Sequence, residues 1–520
     1  MYGELLTRIN LKLKPKEKIL PLGEWAESQE IILDGRKFSF KNHEYLKAVY
    51  EDNHPYQVYL KACQLGLTSL AMLRAIYSAR FRGFRGILYL FSHRSDVIDF
   101  SRGRIAPLIE ENEMFREWIF ETDSANLKKI WNAFLYLRGM KTKAGLKSLP
   151  IDLLIADEID EASEEALEMA FERLSHSEFK EVLLLSNPSL PDFGIAAKFQ
   201  ETDQRYWLLK CEKCGEWINL VESFPDCLKR ITKDKVIRAC LKCGFELDIA
   251  RGEWVAKKPE VIDKRGYQFS QLFSWYVDPK DILEHFEAGK DLTNFMNLKI
   301  GVPYVEASNR LSLSDVLSLC SDDGLLNSCS SGAVCMGIDV GRELYVVISR
   351  WDDGKDRIIY ISVLKSWEEL DFLMENFHVS RCVIDALPET RPARSFAERH
   401  KGRVFLAYYS IHQRGDFRWN EDENTVLINR TEALDLSHSV IINGRIILPR
   451  QSEMVLLFAN HCCAQAKRLI EDEQTGSKFY EYCRLQGDDH FRHALSYLLV
   501  ARSFLKNSLF SDSEFYVRED

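Results

Sequence analysis

The chain has 520 residues, 46% of them hydrophobic and 28% charged, which calls for two or more folded domains and excludes a disordered or fibrous protein. A net charge of −10 excludes a uniformly basic nucleic-acid coat and leaves only local basic surfaces. Thirteen cysteines, an odd number, point to thiols and metal rather than disulfides in a cytosolic chain. Leu11–Ile19 is broken by Lys12, Lys14, Lys16 and Lys18, and no apolar run has membrane-spanning length.

Residues 1–40 read as an amphipathic arm leading into the first strand. Apolar Tyr56–Leu60 then precedes Lys61-Ala-Cys-Gln-Leu-Gly-Leu-Thr-Ser69, and a helix-like stretch, Leu70–Tyr77, follows. A glycine turn between a strand and a helix can cradle phosphates, because free amides and the helix dipole point at the anion. Gly66 and Thr68 fit the end of the G-x-x-x-x-G-K-[ST] pattern, but Leu67 stands where the lysine belongs. Lys61, at the loop's start, has the reach to approach phosphate oxygens as a point charge. An ordinary strand–turn–helix corner would also look like this.

Apolar runs at Gly86–Phe91, Ala133–Leu137, Asp152–Ala156 and Val182–Ser186 alternate with helical periods, the pattern of a mainly parallel sheet with helices on both faces. Two stretches are locally basic. One holds Arg74, Arg80, Arg82, Arg85, Arg94, Arg102 and Arg104; the other holds Lys128, Lys129, Arg138, Lys141, Lys143 and Lys147. They are either solvated faces or phosphate contacts. Leu153–Asp160 reads Leu-Leu-Ile-Ala-Asp-Glu-Ile-Asp. A strand ending in Asp-Glu can supply a Mg²⁺ shell and a base for an attacking water; these acids could also cap the next helix. With the glycine loop upstream, an NTP-hydrolysing motor is the first hypothesis. Ser186 and Asn187 close a buried run where such a motor senses its γ-phosphate.

Cys211-Glu-Lys-Cys214 and Cys240-Leu-Lys-Cys243 are two knuckles, each followed by glycine. Two-residue gaps let both sulfurs of a knuckle reach one ion, so four thiolates can enclose Zn²⁺. A closed four-thiolate site is structural, not catalytic. Strand-like Gly266–Trp275 and a helix near Pro279–Ile300 follow, then polar Ser308–Ser331, the best linker candidate.

Ala333–Val340 is an apolar strand carrying Asp339. Leu344–Trp351, the turn Asp352–Lys355 and Ile358–Leu364 form a hairpin. Arg381–Ile384 ends in Asp385, and Gly487-Asp488-Asp489-His490 opens a terminal helix, Phe491–Phe504. Three carboxylates from two strand ends and a helix start can converge around two Mg²⁺ ions for phosphodiester cleavage. Asp489 is preferred to Asp488 as the third ligand because His493 lies one turn beyond it on the same face.

These motifs together resemble the large terminase subunit of tailed bacteriophages, in the branch with a zinc ribbon inside the ATPase domain. The resemblance rests on Trp25–Gln29, Phe40–Tyr45, Gln64-x-Gly66-x-Thr68, Ala156–Asp160, both knuckles, Gly252-x-Trp254, Gly301-x-Pro303 and Val383–Ala386. It implies an α/β chain: a P-loop additional-strand ATPase with a mainly parallel sheet and inserted zinc ribbon, then a ribonuclease-H-like nuclease domain. The expected boundaries are an arm over 1–40, the ATPase over 41–310 with the ribbon at about 206–256, a linker over 311–331 and the nuclease over 332–520. Lys61, Gln64, Gly66, Thr68, Ser69 and Asp157 would bind ATP and its Mg²⁺, with Glu158 as catalytic base. Asp339, Asp385 and Asp489, with Asp488 as alternative, would bind Mg²⁺ or Mn²⁺ in the nuclease, and the four cysteines Zn²⁺. Arg94, Arg102 and Arg104 are candidates for an arginine finger by charge and place alone. The implied partners are double-stranded DNA, the procapsid portal protein and the small terminase subunit, in a ring on the portal formed from a chain that could be monomeric in isolation. The implied setting is the host cytoplasm. Two other classes compete: a helicase-like remodelling ATPase whose C-terminal domain only binds nucleic acid, and a non-enzymatic zinc-ribbon scaffold. Glu158 together with the three aspartates argues against both.

Overall fold

The computed structural model describes residues 19–509 except 122–124, 142–144, 148, 307–308, 411–412, 414, 472–477 and 486. Most of the expected arm, residues 1–18, and Lys143 of the second basic stretch lie outside the described residues. The chain divides into two compact units, Met1–Tyr304 and Val305–Asp520.

The first unit is built on a sheet in the order 217–219, 205–210, 265–269, 56–61, 181–186, 153–157, 86–91, 133–139, 127–130, 119–121. From Arg205–Lys210 across to Ala133–Gly139 each neighbouring pair is parallel. Gly86–Phe91, Leu153–Asp157 and Glu181–Ser186 are buried at every position, which is why they read as unbroken apolar runs. Glu181–Ser186 is the additional strand: it lies between Tyr56–Lys61, which feeds the glycine loop, and Leu153–Asp157, which ends in the acidic pair. Ile119–Glu121 and Leu127–Ile130 extend the sheet antiparallel at its edge. At three and four residues they are too short to show an alternation in the sequence. The helix Leu67–Phe81 is buried from Leu70 through Ala79. The expected Pro279–Ile300 helix breaks after Ala288 and resumes as Leu292–Phe295 and Met296–Ile300.

In the first basic stretch Arg74, Arg80 and Arg82 are committed to partners within the fold, whereas Arg85, Arg94, Arg102 and Arg104 are exposed. Arg74 is buried and donates to the Asp52 carbonyl at 2.6 Å. Arg82 pairs with Glu181 at 2.8 Å, and Arg104 with Asp34 at 2.7 Å. Arg80 lies over the Trp131 ring at 4.2 Å. In the second stretch Lys128 is buried, and Arg138 donates to the carbonyls of Asn126 and Leu137 at 2.6 and 2.8 Å. Neither stretch is one continuous phosphate-facing surface.

The second unit holds a sheet ordered 418–420, 425–428, 404–409, 381–385, 334–340, 344–352, 355–364, 446–447. Val334–Val340, Leu344–Asp352 and Lys355–Leu364 form an antiparallel meander. Arg381–Asp385 and Val404–Tyr409 continue parallel from Val334–Val340. This is the ribonuclease-H-like arrangement that the family resemblance implied. The helix His490–Leu509 crosses the central strands at Gly337, where a Cβ would stand 2.0 Å from the Ala494 carbonyl oxygen, so only glycine permits the approach. The stretch 311–331 read as a linker belongs instead to this unit. It contains the helix Leu313–Leu317, and Leu311, Val316 and Cys329 are buried in its cores. A few apolar residues anchor it, and the surrounding serines and aspartates conceal them in the composition.

Candidate functional site

In the first unit three neighbouring parallel strands end together and present their last side chains at one edge. Leu60 pairs in register with Ser186, and Asp157 with Leu185. The chain then turns through Gln64 (φ +59°) and Gly66 (φ +82°) before the helix begins at Leu67. Gln64 and Gly66 are exposed, Thr68 and Ser69 half-buried in the first helical turn. The loop is pinned from behind: Ala62 N–H donates to the Phe269 carbonyl at 2.9 Å and Cys63 N–H to the Leu298 carbonyl at 2.8 Å.

Lys61 does not point away from this loop. It is buried, with Nζ 2.5 Å from Glu158 Oε1 and 3.5 Å from Asp157 Oδ1. Burial alone would lower its pKa, but the Asp157 and Glu158 charges outweigh that and hold it well above the usual lysine range. Thr68 Oγ1 and the Tyr89 hydroxyl donate to Asp157 Oδ2 at 3.1 and 3.2 Å. Burial raises the Asp157 carboxyl, with Lys61, Thr68 and Tyr89 acting against it. Asp157 Oδ1 is buried with no hydrogen-bond partner. Glu158 adopts left-handed backbone angles (φ 59°, ψ 52°), an unusual conformation for a non-glycine residue that aims its carboxylate along the edge. Its Oε2 accepts from Ser186 Oγ and Asn187 N–H, both at 3.1 Å, and Asn187 Nδ2 donates to the Lys61 carbonyl at 2.8 Å.

The two cysteine knuckles meet. Sγ of Cys211 is 3.6 Å from that of Cys243, Sγ of Cys214 is 3.6 Å from that of Cys240, and all four lie within 4.8 Å of one another. A tetrahedral Zn²⁺ with bonds of about 2.3 Å places its sulfurs roughly 3.8 Å apart, so this donor set fits the ion. Each knuckle closes with a glycine amide donating back, Gly215 to the Cys211 carbonyl and Gly244 to that of Cys240. All thirteen cysteines are free thiols.

In the second unit Ile338 and Ile384 pair in register, so the next residues, Asp339 and Asp385, stand side by side on adjacent strands. Burial, and then the Asp339 charge, push the Asp385 carboxyl up to about 6. Asp339 accepts from His490 Nδ1 at 2.8 Å, and the His490 ring stacks on Tyr345 with centroids 4.2 Å apart. Asp489 is buried at the head of the terminal helix, whereas Asp488 is exposed. Asp489 is engaged by Gln465 Nε2 at 2.7 Å and by His493 Nε2 at 3.5 Å. Burial would raise its carboxyl, but the His493 contact and the Gln465 hydrogen bond hold it well below the usual range.

Residues 42–256 match the family described as the phage terminase large subunit gpA ATPase domain. This segment is similar to the ATPase domain of large terminases. The crystal structure of the HK97 bacteriophage large terminase is similar to the whole chain: 14% identical, covering 92% of this chain and 99% of that one, with a TM-score of 0.51. At that identity the likeness is one of fold, and it extends over most of both units. The large terminase of a thermophilic bacteriophage matches at 11% identity, covering 91% of this chain and 100% of that one, with a TM-score of 0.32. The Thermus phage P74-26 large terminase ATPase domain matches at 13% identity, covering 51% and 94%, with a TM-score of 0.32. No curated protein matches the chain.

Within the first unit, the orphan Asp157 oxygen and the adjacent Thr68 hydroxyl form the hard, oxygen-only donor set that Mg²⁺ prefers. In the second unit Asp339 and Asp385 are neighbouring oxygen donors, and a cation between them would offset the repulsion that, after burial, raises Asp385. Among the described residues, the four cysteines are the only group of three or more such side chains whose ligand atoms lie within 4.8 Å of one another. The three aspartates are therefore not a closed single-ion cluster: Asp339 and Asp385 are neighbours, and Asp489 stands with Gln465 and His493. Sequence reading missed His490 and Gln465. His490 follows Asp489 directly and could have been read from the helix start; nothing local marks Gln465. It also missed how Asp160 works. That carboxylate is buried, accepts from Ser189 N–H, Ser189 Oγ and Ile195 N–H at 2.6–2.7 Å, and is pushed up to about 6 by burial. It ties the acidic turn to the loop that follows Ser186.

Proposed function

We propose that the chain is a large terminase subunit that drives viral double-stranded DNA into a procapsid with ATP and cuts concatemeric DNA with a metal-dependent nuclease. The observation that carries this reading is the pairing, in one chain, of two sites. One is the Lys61–Asp157–Glu158 cluster at the edge of a terminase ATPase sheet; the other is the Asp339–Asp385 pair on a ribonuclease-H-like sheet.

In the motor, the amides of the turn through Gln64 and Gly66, with Ser69 at the helix start, would cradle the phosphates. Lys61 would exchange its Glu158 partner for β/γ oxygens. Thr68 and Asp157 would hold Mg²⁺, which when bound neutralises charge developing on the phosphates. Glu158, released from Lys61 but still oriented by Ser186 and Asn187, would position the attacking water and take its proton. In the nuclease, Asp339, Asp385 and Asp489, with Asp488 as the alternative third carboxylate, would hold Mg²⁺ or Mn²⁺ ions that activate water and stabilise the leaving oxygen. The four cysteines would hold a structural Zn²⁺. The partners of this reading are duplex DNA, the portal protein and the small terminase subunit, in a ring on the portal in the host cytoplasm. Among the described residues no helix is long and apolar enough to cross a membrane.

A remodelling ATPase with a non-cleaving C-terminal unit draws its support from the open arrangement of the three aspartates. ATP turnover with and without linear duplex DNA, run beside plasmid nicking in Mg²⁺ or Mn²⁺, separates the two. DNA-stimulated turnover with nicking supports the terminase; turnover without nicking under either metal supports the remodeller.

A further inference from the structure

Gln465 opens the strand Gln465–Glu471 and is 2% exposed. Its Nε2 lies 2.7 Å from Asp489 Oδ2 and 3.0 Å from His493 Nε2. A carboxylate only accepts, so the amide nitrogen, not its oxygen, must face Asp489. That fixes the amide's orientation. It also makes His493 Nε2 the acceptor, leaving its Nδ1–H to meet the Tyr409 hydroxyl oxygen at 2.9 Å. One nitrogen thus sets the rotamer of a carboxylate and the tautomer of a histidine. The opposite end of the same amide is left over. Gln465 Oε1 is buried and has no hydrogen-bond partner. A buried amide oxygen without a donor is a destabilising arrangement that folded proteins rarely keep unless water or a ligand completes it. The other end of that amide meets Asp489, one of the carboxylates that a divalent cation would use.

We infer that Gln465 is a positioning residue of the nuclease centre. Its nitrogen holds Asp489 and His493 in place, and its Oε1 accepts a hydrogen bond from water carried on a divalent cation bound at the aspartates. This rests on the nuclease reading above. Groups that orient a metal's ligands typically contribute about 10–100-fold to its affinity.

The test is Mn²⁺ binding to the full-length, nucleotide-free chain, followed by calorimetry and by the loss of the free-ion paramagnetic signal. Wild type is compared with Gln465→Met, which fills the same space without hydrogen bonds, and with Gln465→Asn, which keeps an amide but withdraws it by one methylene. Asp385→Asn is the reference for a destroyed site. The expected result is affinity weakened roughly tenfold or more by both Gln465 variants, with thermal unfolding and ATP turnover at wild-type values. If Asp385→Asn abolishes a Mn²⁺ site while both Gln465 variants bind within twofold of wild type, the inference is overturned and the nuclease reading stands. If wild type has no Mn²⁺ site that Asp385→Asn removes, both fall together. Should Gln465→Met fail to fold, Gln465→Asn alone decides.

Discussion

Replacing Lys61 with methionine tests the geometry of the motor site through stability as well as activity. The Lys61 side chain is 9% exposed and faces Asp157 (8%) and Glu158 (36%) at 3.5 and 2.5 Å. Methionine fills the volume but removes the charge, leaving Asp157 Oδ1, already without a hydrogen-bond partner, beside a second carboxylate. Breaking a buried ion pair by deleting one partner costs about 3–5 kcal/mol. The low end applies here, because Glu158 is a third exposed and keeps its Ser186 and Asn187 donors. About 3 kcal/mol corresponds to roughly 150-fold in an opening equilibrium. Hydrogen exchange of the amides in Tyr56–Lys61 and Leu153–Asp157 reads this within the first unit alone, and those amides should exchange about two orders of magnitude faster than in wild type. ATP affinity and turnover should both fall. Exchange within threefold of wild type, or unchanged nucleotide affinity, would show that Lys61 is neither the buried counter-charge nor the phosphate lysine.

The companion variant Glu158→Gln should bind ATP at least as well as wild type, since Lys61 is freed, while turnover drops by roughly 10²–10⁴-fold; wild-type turnover would remove Glu158 from the catalytic role. Metal analysis should find one zinc per chain. Chelation should loosen the ribbon and the segment it anchors, because half-buried Arg238 donates to the carbonyls of Ser274 and Val277 at 2.9 and 3.0 Å, yet leave the sheet folded; metal-free protein with reduced thiols would reject the site. Gly337→Ala places a methyl 2.0 Å from the Ala494 carbonyl oxygen and should destabilise the second unit, read as faster exchange in Val334–Val340; normal protection there would mean the helix is free to shift. Asp489→Asn should lose nicking and Asp488→Asn should retain it, since only Asp489 is buried with Gln465 and His493; the opposite result would make the exposed Asp488 the ligand.

Most of the fold was legible because its central strands are covered on both faces and so appear as unbroken apolar runs, Gly86–Phe91 and Val182–Ser186 being the plainest. Both cysteine knuckles were legible because metal geometry constrains spacing within a few residues. What the sequence concealed was direction and distance. Seven arginines between Arg74 and Arg104 look like a basic face, yet Arg74 turns inward to a carbonyl and Arg82 is spent on Glu181, and no one-dimensional pattern reports where a side chain points. Lys61 and Glu158 meet only because the additional strand sets the spacing between the strands that carry them. Gln465 lies in a hairpin with weak alternation, and its partners come from a helix that begins later in the chain. The 311–331 segment misled because three buried residues anchor it among many polar ones.

The central claim, that this terminase-like chain carries a cutting centre as well as a motor, is tested most directly by plasmid nicking in Mn²⁺ with full-length wild type and Asp385→Asn, ATP turnover being followed in the same samples. Wild type should convert supercoiled plasmid to nicked and linear forms, and Asp385→Asn should leave it supercoiled while hydrolysing ATP at the wild-type rate. Equal nicking by both proteins, or none by wild type, would contradict the account.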